Sequence, residues 1–155
     1  MSLFLRNLFF ALLQPGMVAG LFPYLNLRSQ NKWQHQEWNF HSYAGILLWI
    51  PGLIILVKCI TDFARKGKGT LSPADPTKKL VVTGLYRYSR NPMYVGVMLM
   101  LVGEAIFFQS DVMAGYAILV FLLFYGFVIW FEEPRLNKAF GQEYVTYKKE
   151  VSRWI

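Results

Sequence analysis

The sequence predicts an all-α, polytopic membrane protein with four transmembrane helices and a C-terminal amphipathic helix on the cytoplasmic surface. Three observations carry this expectation. Apolar residues make up 55% of the 155-residue chain and aromatics 17%, with a mean hydropathy of +0.32, more than a soluble domain of this size ordinarily holds. The surplus is gathered into four runs, at residues 3–25, 43–60, 93–108 and 112–131, against the roughly 20 residues that span a bilayer core. Finally, threading the chain through four helices puts every lysine and arginine except Arg28 and Lys32 on one side. By the positive-inside rule both termini and the loop from Thr61 to Asn91 are then cytoplasmic.

Taken in order, the first run opens on a single cation, Arg6, as a signal peptide would, but stays apolar past Gly20 to Leu25. It reads as a retained helix, with Gln14-Pro15-Gly16 kinking it near its middle. Asn26 to His41, polar with Trp33 and Trp38 interleaved, suits an outer interfacial loop. The second run ends near Lys58-Cys59-Ile60, and glycines, a proline and charge then mark a cytoplasmic loop. Within it, Leu80 to Thr83 reads as a short β-like run closed by Gly84. Proline at 92 favours a helix start there, because proline suits a first helical turn and pushes its predecessor out of the α region. On the third helix Gly96 and Gly103 allow close approach of a neighbour, and Glu104 is expected at the outer interface. Gln109-Ser110-Asp111 makes a tight hairpin into the fourth run, which is expected to end in Phe131-Glu132-Glu133-Pro134. Beyond it Leu136, Phe140, Tyr144, Tyr147 and Val151 recur at helical spacing. The opposite face, with Arg135, Lys138, Lys148 and Lys149, suits lipid headgroups. The chain reads as one domain, 1–155, with cytoplasmic segments at 61–92 and 132–155.

Several chemistries are disfavoured. The lone cysteine, Cys59, permits neither an intrachain disulfide nor a cysteine zinc site, and two histidines six residues apart lack helical ligand spacing, so no metal is expected. Gly67-Lys68-Gly69-Thr70 lacks the phosphate-loop spacing, and G-x-G-x-x-G occurs nowhere. Juxtamembrane cations facing anionic lipid account for the formal charge of +7 more simply than a nucleic-acid partner does.

The polar stretch Pro76 to Gly96, P-T-K-K-L-V-V-T-G-L-Y-R-Y-S-R-N-P-M-Y-V-G, feeds straight into apolar sequence, which places Arg90, Asn91 and Tyr94 at the mouth of a membrane helix. Glu132 and Glu133 are adjacent carboxylates at the cytoplasmic end of another, where the helix dipole is already negative. Either Glu133 caps a new helix beginning at Pro134 while Glu132 reaches for water, or a cationic ligand or Arg87 and Arg90 face the pair.

These two segments carry a resemblance. Leu80 to Gly96 and Glu132 to Val151, E-E-P-R-L-N-K-A-F-G-Q-E-Y-V-T-Y-K-K-E-V, resemble the isoprenylcysteine carboxyl methyltransferase family, integral-membrane enzymes related to phospholipid N-methyltransferases, in its compact prokaryotic form. The resemblance covers the C-terminal half. It implies methyl transfer from S-adenosyl-L-methionine to a small or lipophilic acceptor, at the cytoplasmic face of a prokaryotic inner membrane. Carried over residue by residue, cofactor contacts fall on Lys78, Lys79, Leu80, Val81, Tyr86, Asn91, Pro92, Met93, Tyr94 and Glu132, with Glu132, Glu133 and Arg90 as candidate catalytic residues. The chemistry agrees, since a sulfonium cofactor with an ammonium, a carboxylate and an adenine calls for acidic, basic and aromatic groups. Two positions depart from the eukaryotic members, which resemble R-H-P where this chain has Arg90-Asn91-Pro92, and an arginine where it has Val128.

Two other readings stay open at this level. Membrane sterol reductases resemble the same region but carry R-H-P-N-Y-x-G-E, whereas here the run is Arg90 to Val97 without the acid. A non-enzymatic protein whose basic tail binds anionic lipid would also use these charges.

Overall fold

The computed structural model describes residues 15–34, 36–66 and 79–155, the side chains of 63–66 excepted. Lys78 and residues 1–14, and with them most of the first apolar run, lie outside these. Described residues from 15 onward open on a π-helical turn, Met17–Leu21, that leads into α1 (Phe22–Ser29). There follow α2 (Phe40–Lys66), a 3-10 turn at Gly84–Arg87, α3 (Pro92–Phe107) and α4 (Asp111–Phe127). A second π-helical turn, Val128–Glu132, joins α4 to α5 (Glu133–Phe140), and α6 (Gln142–Glu150) completes the order. No strand occurs among the described residues. The expected β-like run at Leu80 to Thr83 is instead irregular chain, and Gly84 at φ +67° turns it into the 3-10 segment, a conformation glycine adopts without strain.

The central pairing is α2 against α3. Gly45 lies across from Gly103 and Gly52 across from Gly96, so the two helices run antiparallel with paired glycines seven residues apart on each. A Cβ at any of the four would stand 2.6–2.9 Å from the facing backbone carbonyl oxygen, closer than carbon and oxygen can sit. The backbones therefore pack at a distance only glycine allows, which maximises dispersion contact where no hydrophobic force between helices is available. Around this seam Leu56, Val97, Met100, Leu101, Ala105, Met113 and Val120 form the core.

Among the described residues two helices are long and apolar enough to cross a bilayer, Phe40–Asp62 and Asp111–Phe140, whose 18-residue apolar stretches have mean hydropathies of 2.1 and 2.4. Pro92–Phe107 is a shorter apolar helix between them. Large apolar side chains such as Leu47, Ile54, Ile118, Leu122, Leu123 and Trp130 are exposed on them, an outer surface suited to lipid. Two long spans stand where four were expected; the first expected span lies mostly outside the described residues.

Three local differences from expectation have clear causes. The fourth helix does not stop at Phe131 but continues without interruption through Glu132 into α5. Pro134 has no N–H to give and would crowd the carbonyl of residue 130 in a regular α-helix, and the wider π turn accommodates it. The amphipathic stretch after Pro134 is not one helix either, because Gly141, at φ +50°, breaks it between α5 and α6. Glu104, expected at an outer interface, turns inward, where one of its oxygens accepts a hydrogen bond from Trp49 Nε1 at 3.1 Å.

Candidate active site

The segment before α3 and the chain from the second π turn onward come together at the N-terminus of α3. Asn91 precedes the helix and Pro92 occupies its first turn, as the pre-proline argument requires. From there the first turn of α3 presents Tyr94 to the π turn between α4 and α5. Its hydroxyl donates to Glu132 Oε2 at 3.1 Å, and its ring packs 4.5 Å from that of Phe124 on α4. Two residues from segments separated by a whole helical hairpin thus meet in one bond.

Glu133, one residue on, faces elsewhere. It accepts from Arg90 Nη1 at 3.0 Å and from Arg153 Nε at 2.6 Å, both on Oε1, while its Oε2 takes Arg153 Nη2 at 3.3 Å and an ion pair with Lys148 Nζ at 3.1 Å. The Arg90 and Glu133 side chains are only 8% and 9% exposed, so this is a buried charge cluster rather than a surface pair. Arg90 also donates to Tyr144 Oη at 3.2 Å. The adjacent glutamates are therefore divided. Glu133 is saturated by three cations, whereas Glu132 has no ion pair among the described residues.

Around this pair the loop before α3 is clamped by the chain's last residues. The backbone N–H of Arg90 donates to Ser152 O at 2.9 Å, Asn91 Nδ2 to Arg153 O at 3.0 Å, and Ser89 Oγ to the same carbonyl at 3.4 Å. From α6, Tyr147 donates its hydroxyl to Tyr86 O at 2.6 Å. Both phenols are buried, which raises that of Tyr86 well above its usual range and pushes that of Tyr147 up to about 12. They remain neutral donors throughout the physiological range. Trp154 packs against Phe121 and Tyr125 of α4, anchoring the tail to that helix.

The expected site residues are distributed as follows. Tyr94 meets Glu132, and Arg90 meets Glu133. Tyr86 and Val81 are buried together against Cys59, with Met93 packed beside them, and Asn91 and Pro92 are buried at the helix start. Leu80 is half-buried and Lys79 exposed, while Lys78 is outside the described residues. Arg87, which one of the open readings set against the glutamates with Arg90, is exposed. Lys148, assigned by its helix face to lipid headgroups, pairs with Glu133. Arg153 was not singled out by the sequence at all, because a cation three residues from the end of a basic tail has no spacing that marks it.

Apolar helices with a polar cluster at one end make an arrangement suited to membrane association. The phospholipid methyltransferase family profile matches residues 40–143, and the chain belongs to that family: it is a methyltransferase. It is 29% identical over 143 residues to the probable protein-S-isoprenylcysteine O-methyltransferase of Oryza sativa subsp. indica, covering 92% of this chain and 70% of that one. Against protein-S-isoprenylcysteine O-methyltransferase A of Arabidopsis thaliana it is 34% identical over 121 residues, 77% of this chain and 61% of that one. Against the Saccharomyces cerevisiae protein-S-isoprenylcysteine O-methyltransferase it is 30% identical over 150 residues, 92% and 58%. The resemblance seen in the two C-terminal segments thus extends across most of the chain, and the methyltransferase reading stands over the reductase and non-enzymatic ones.

Proposed function

We propose that this protein transfers a methyl group from S-adenosyl-L-methionine to a lipophilic acceptor at the cytoplasmic face of a membrane, with Glu132 and Tyr94 at the centre of the cofactor site. The observation that carries the proposal is the division of the two glutamates. Three neighbouring cations go to Glu133, and Glu132, held by one phenol, is left as the carboxylate for a cationic ligand. The donor set fits the cofactor, whose ammonium and sulfonium call for a carboxylate and aromatic faces. Tyr86, Tyr94 and Glu132 supply these, and Lys79 to Val81 with Asn91 to Met93 supply the backbone around them.

Bound S-adenosyl-L-methionine supplies an electrophilic methyl on sulfur. The chain's own part is to hold and exclude. Tyr94 fixes the orientation of the Glu132 carboxylate. Arg90 and Glu133 act as positioning residues that lock the start of α3 to α5, and α6 covers this end through Tyr144 and Tyr147, keeping water from the transfer. The acceptor side supports a lipophilic substrate. Val128, where the eukaryotic members resemble an arginine, is a buried valine 1% exposed, and the helices beside it are apolar outward. The lysine and arginine asymmetry supports the cytoplasmic placement and both termini on that side.

The test is calorimetry on the detergent-purified protein with S-adenosyl-L-methionine, S-adenosylhomocysteine and reduced nicotinamide nucleotide in turn, for wild type and Glu132→Gln. Binding of the two adenosyl ligands alone is expected, weakened in the variant by about 1.5–3 kcal/mol, roughly tenfold to a hundredfold. Unchanged affinity in a folded Glu132→Gln protein removes Glu132 from the site. Labelled methyl recovered only in water-soluble acceptors overturns the lipophilic substrate.

A further inference from the structure

The proposed transfer site leaves one chemically distinct feature of the molecule unused. Glu104 sits ten residues beyond Tyr94 on α3, about 15 Å along a helix rising 1.5 Å per residue, and so toward the opposite end of the bundle. It lines a cavity of about 400 Å³ between α1, α2 and α3, a volume typical of small-molecule sites. The walls are apolar and aromatic, among them Leu27, Trp33, Ile46, Trp49 and Phe108, and Glu104 is the single charged side chain in the lining among the described residues. Trp33 meets Phe108 edge-on with centroids 4.8 Å apart and lies 5.9 Å from Tyr24, so the aromatic wall is a packed one.

The carboxylate itself is only half satisfied. Oε1 accepts from the Trp49 indole at 3.1 Å, whereas Oε2 is buried with no hydrogen-bond partner. A carboxylate taken out of water without compensation is costly, and its terminal torsion is soft enough for either oxygen to turn toward the cavity. Among the described lining residues no cation faces it, and the groups around it are those that recognise an organic ammonium, one counter-ion beside aromatic faces.

We propose that this cavity is a second ligand site, separate from the proposed transfer site, for an amphiphile with an ammonium head, the head on Glu104 and the chain along the apolar walls. An alcohol of the same length would gain the apolar contact but not the charge, so head-group discrimination is the signature. Gly20 also lines the cavity, and a Cβ there meets nothing within 4 Å, so Gly20→Leu adds bulk at the lining without a clash at its Cβ.

The experiment uses the full chain in neutral detergent, titrated with a bromine-tipped dodecylamine, whose bromine quenches nearby indoles, here Trp33 and Trp49. Saturable quenching is expected, about tenfold weaker in Glu104→Gln and lost in Gly20→Leu, with far-ultraviolet circular dichroism unchanged in both. The matching bromine-tipped alcohol should bind about tenfold more weakly than the amine. Quenching that does not saturate, equal binding of amine and alcohol, or wild-type amine affinity in Glu104→Gln overturns the proposal. If Glu104→Gln loses its helical signal, Gly20→Leu decides, and amine quenching retained there refutes the cavity as the site.

Discussion

Gly52 and Gly96 face each other so closely that a Cβ on Gly52 would lie 2.7 Å from the Gly96 carbonyl oxygen, and one on Gly96 would lie 2.9 Å from that of Gly52. The obstacle in each case is backbone, which cannot rotate away. Gly52→Ala must therefore push α2 and α3 apart, at a cost of about 1–3 kcal/mol as for other overpacked cores. Gly115, whose added Cβ meets nothing within 4 Å, is the control, and Gly115→Ala on α4 should be neutral or stabilising by about 0.5–1 kcal/mol. Thermal unfolding in neutral detergent measures both, and equal effects would contradict the close-packed seam.

The Glu133 cluster makes a prediction about asymmetry. Removing Glu133 strands Arg90, whose side chain is 8% exposed, and Glu133→Gln should cost about 3–5 kcal/mol, the usual penalty for breaking a buried ion pair from one side. Lys148, 46% exposed in the same cluster, should contribute about 1 kcal/mol or less. Comparing the melting of Glu133→Gln with that of Lys148→Ala checks this, and similar losses would mean that the cluster is solvated.

Tyr94 and Glu132 are predicted to act on the cofactor as one unit. Tyr94→Phe and Glu132→Gln should each weaken S-adenosyl-L-methionine binding, and the double variant should be weaker than wild type by less than the sum. A coupling of about 0.5–3 kcal/mol is the range for residues in direct contact. Additive losses in a calorimetric double-mutant cycle would show that the phenol does not orient the carboxylate for the ligand.

The clamp between α6 and the loop before α3 rests largely on Tyr147, whose hydroxyl reaches Tyr86 O at 2.6 Å. Tyr147→Phe keeps the ring and loses the bond, leaving a buried carbonyl without that donor, at a cost of about 1–3 kcal/mol. Faster amide exchange confined to residues 84–91 and 142–150 is the expected readout. Exchange that rises across α2 and α3 instead would place the bond in the global fold rather than in a local cover.

How much of this was legible in the sequence depended on whether the signal was local. The start of α3 at Pro92 and the tight turn at Gln109-Ser110-Asp111, where the Ser110 side chain accepts from the N–H of Met113, follow from backbone chemistry within a few residues. The glycine seam was half legible. Gly96 and Gly103 marked one face, but their partners Gly45 and Gly52, at the same seven-residue spacing, gain meaning only when the two helices are laid antiparallel. The break at Gly141 had its sign in the residue type, and the strong apolar recurrence across it outweighed that sign. The division of Glu132 from Glu133 could not be read, because it depends on where Arg153 and Lys148 return in space. For the same reason the two segments announced a meeting without announcing which glutamate Tyr94 would hold and which the cations would take.

The π turn at Val128–Glu132 sets the angular phase of everything after it. One extra residue in that turn offsets each later side chain by about 100° from where an unbroken α-helix would carry it. The apolar outer face of α4 and the charged half beyond it are consequently set to different clocks. Exchanging one apolar residue for another in α4 leaves the glutamates aimed as they are. A substitution that let this turn tighten to a regular α-helix at unchanged length, such as Pro134→Ala, would swing Glu133 away from Arg90 with its chemistry intact and its address lost.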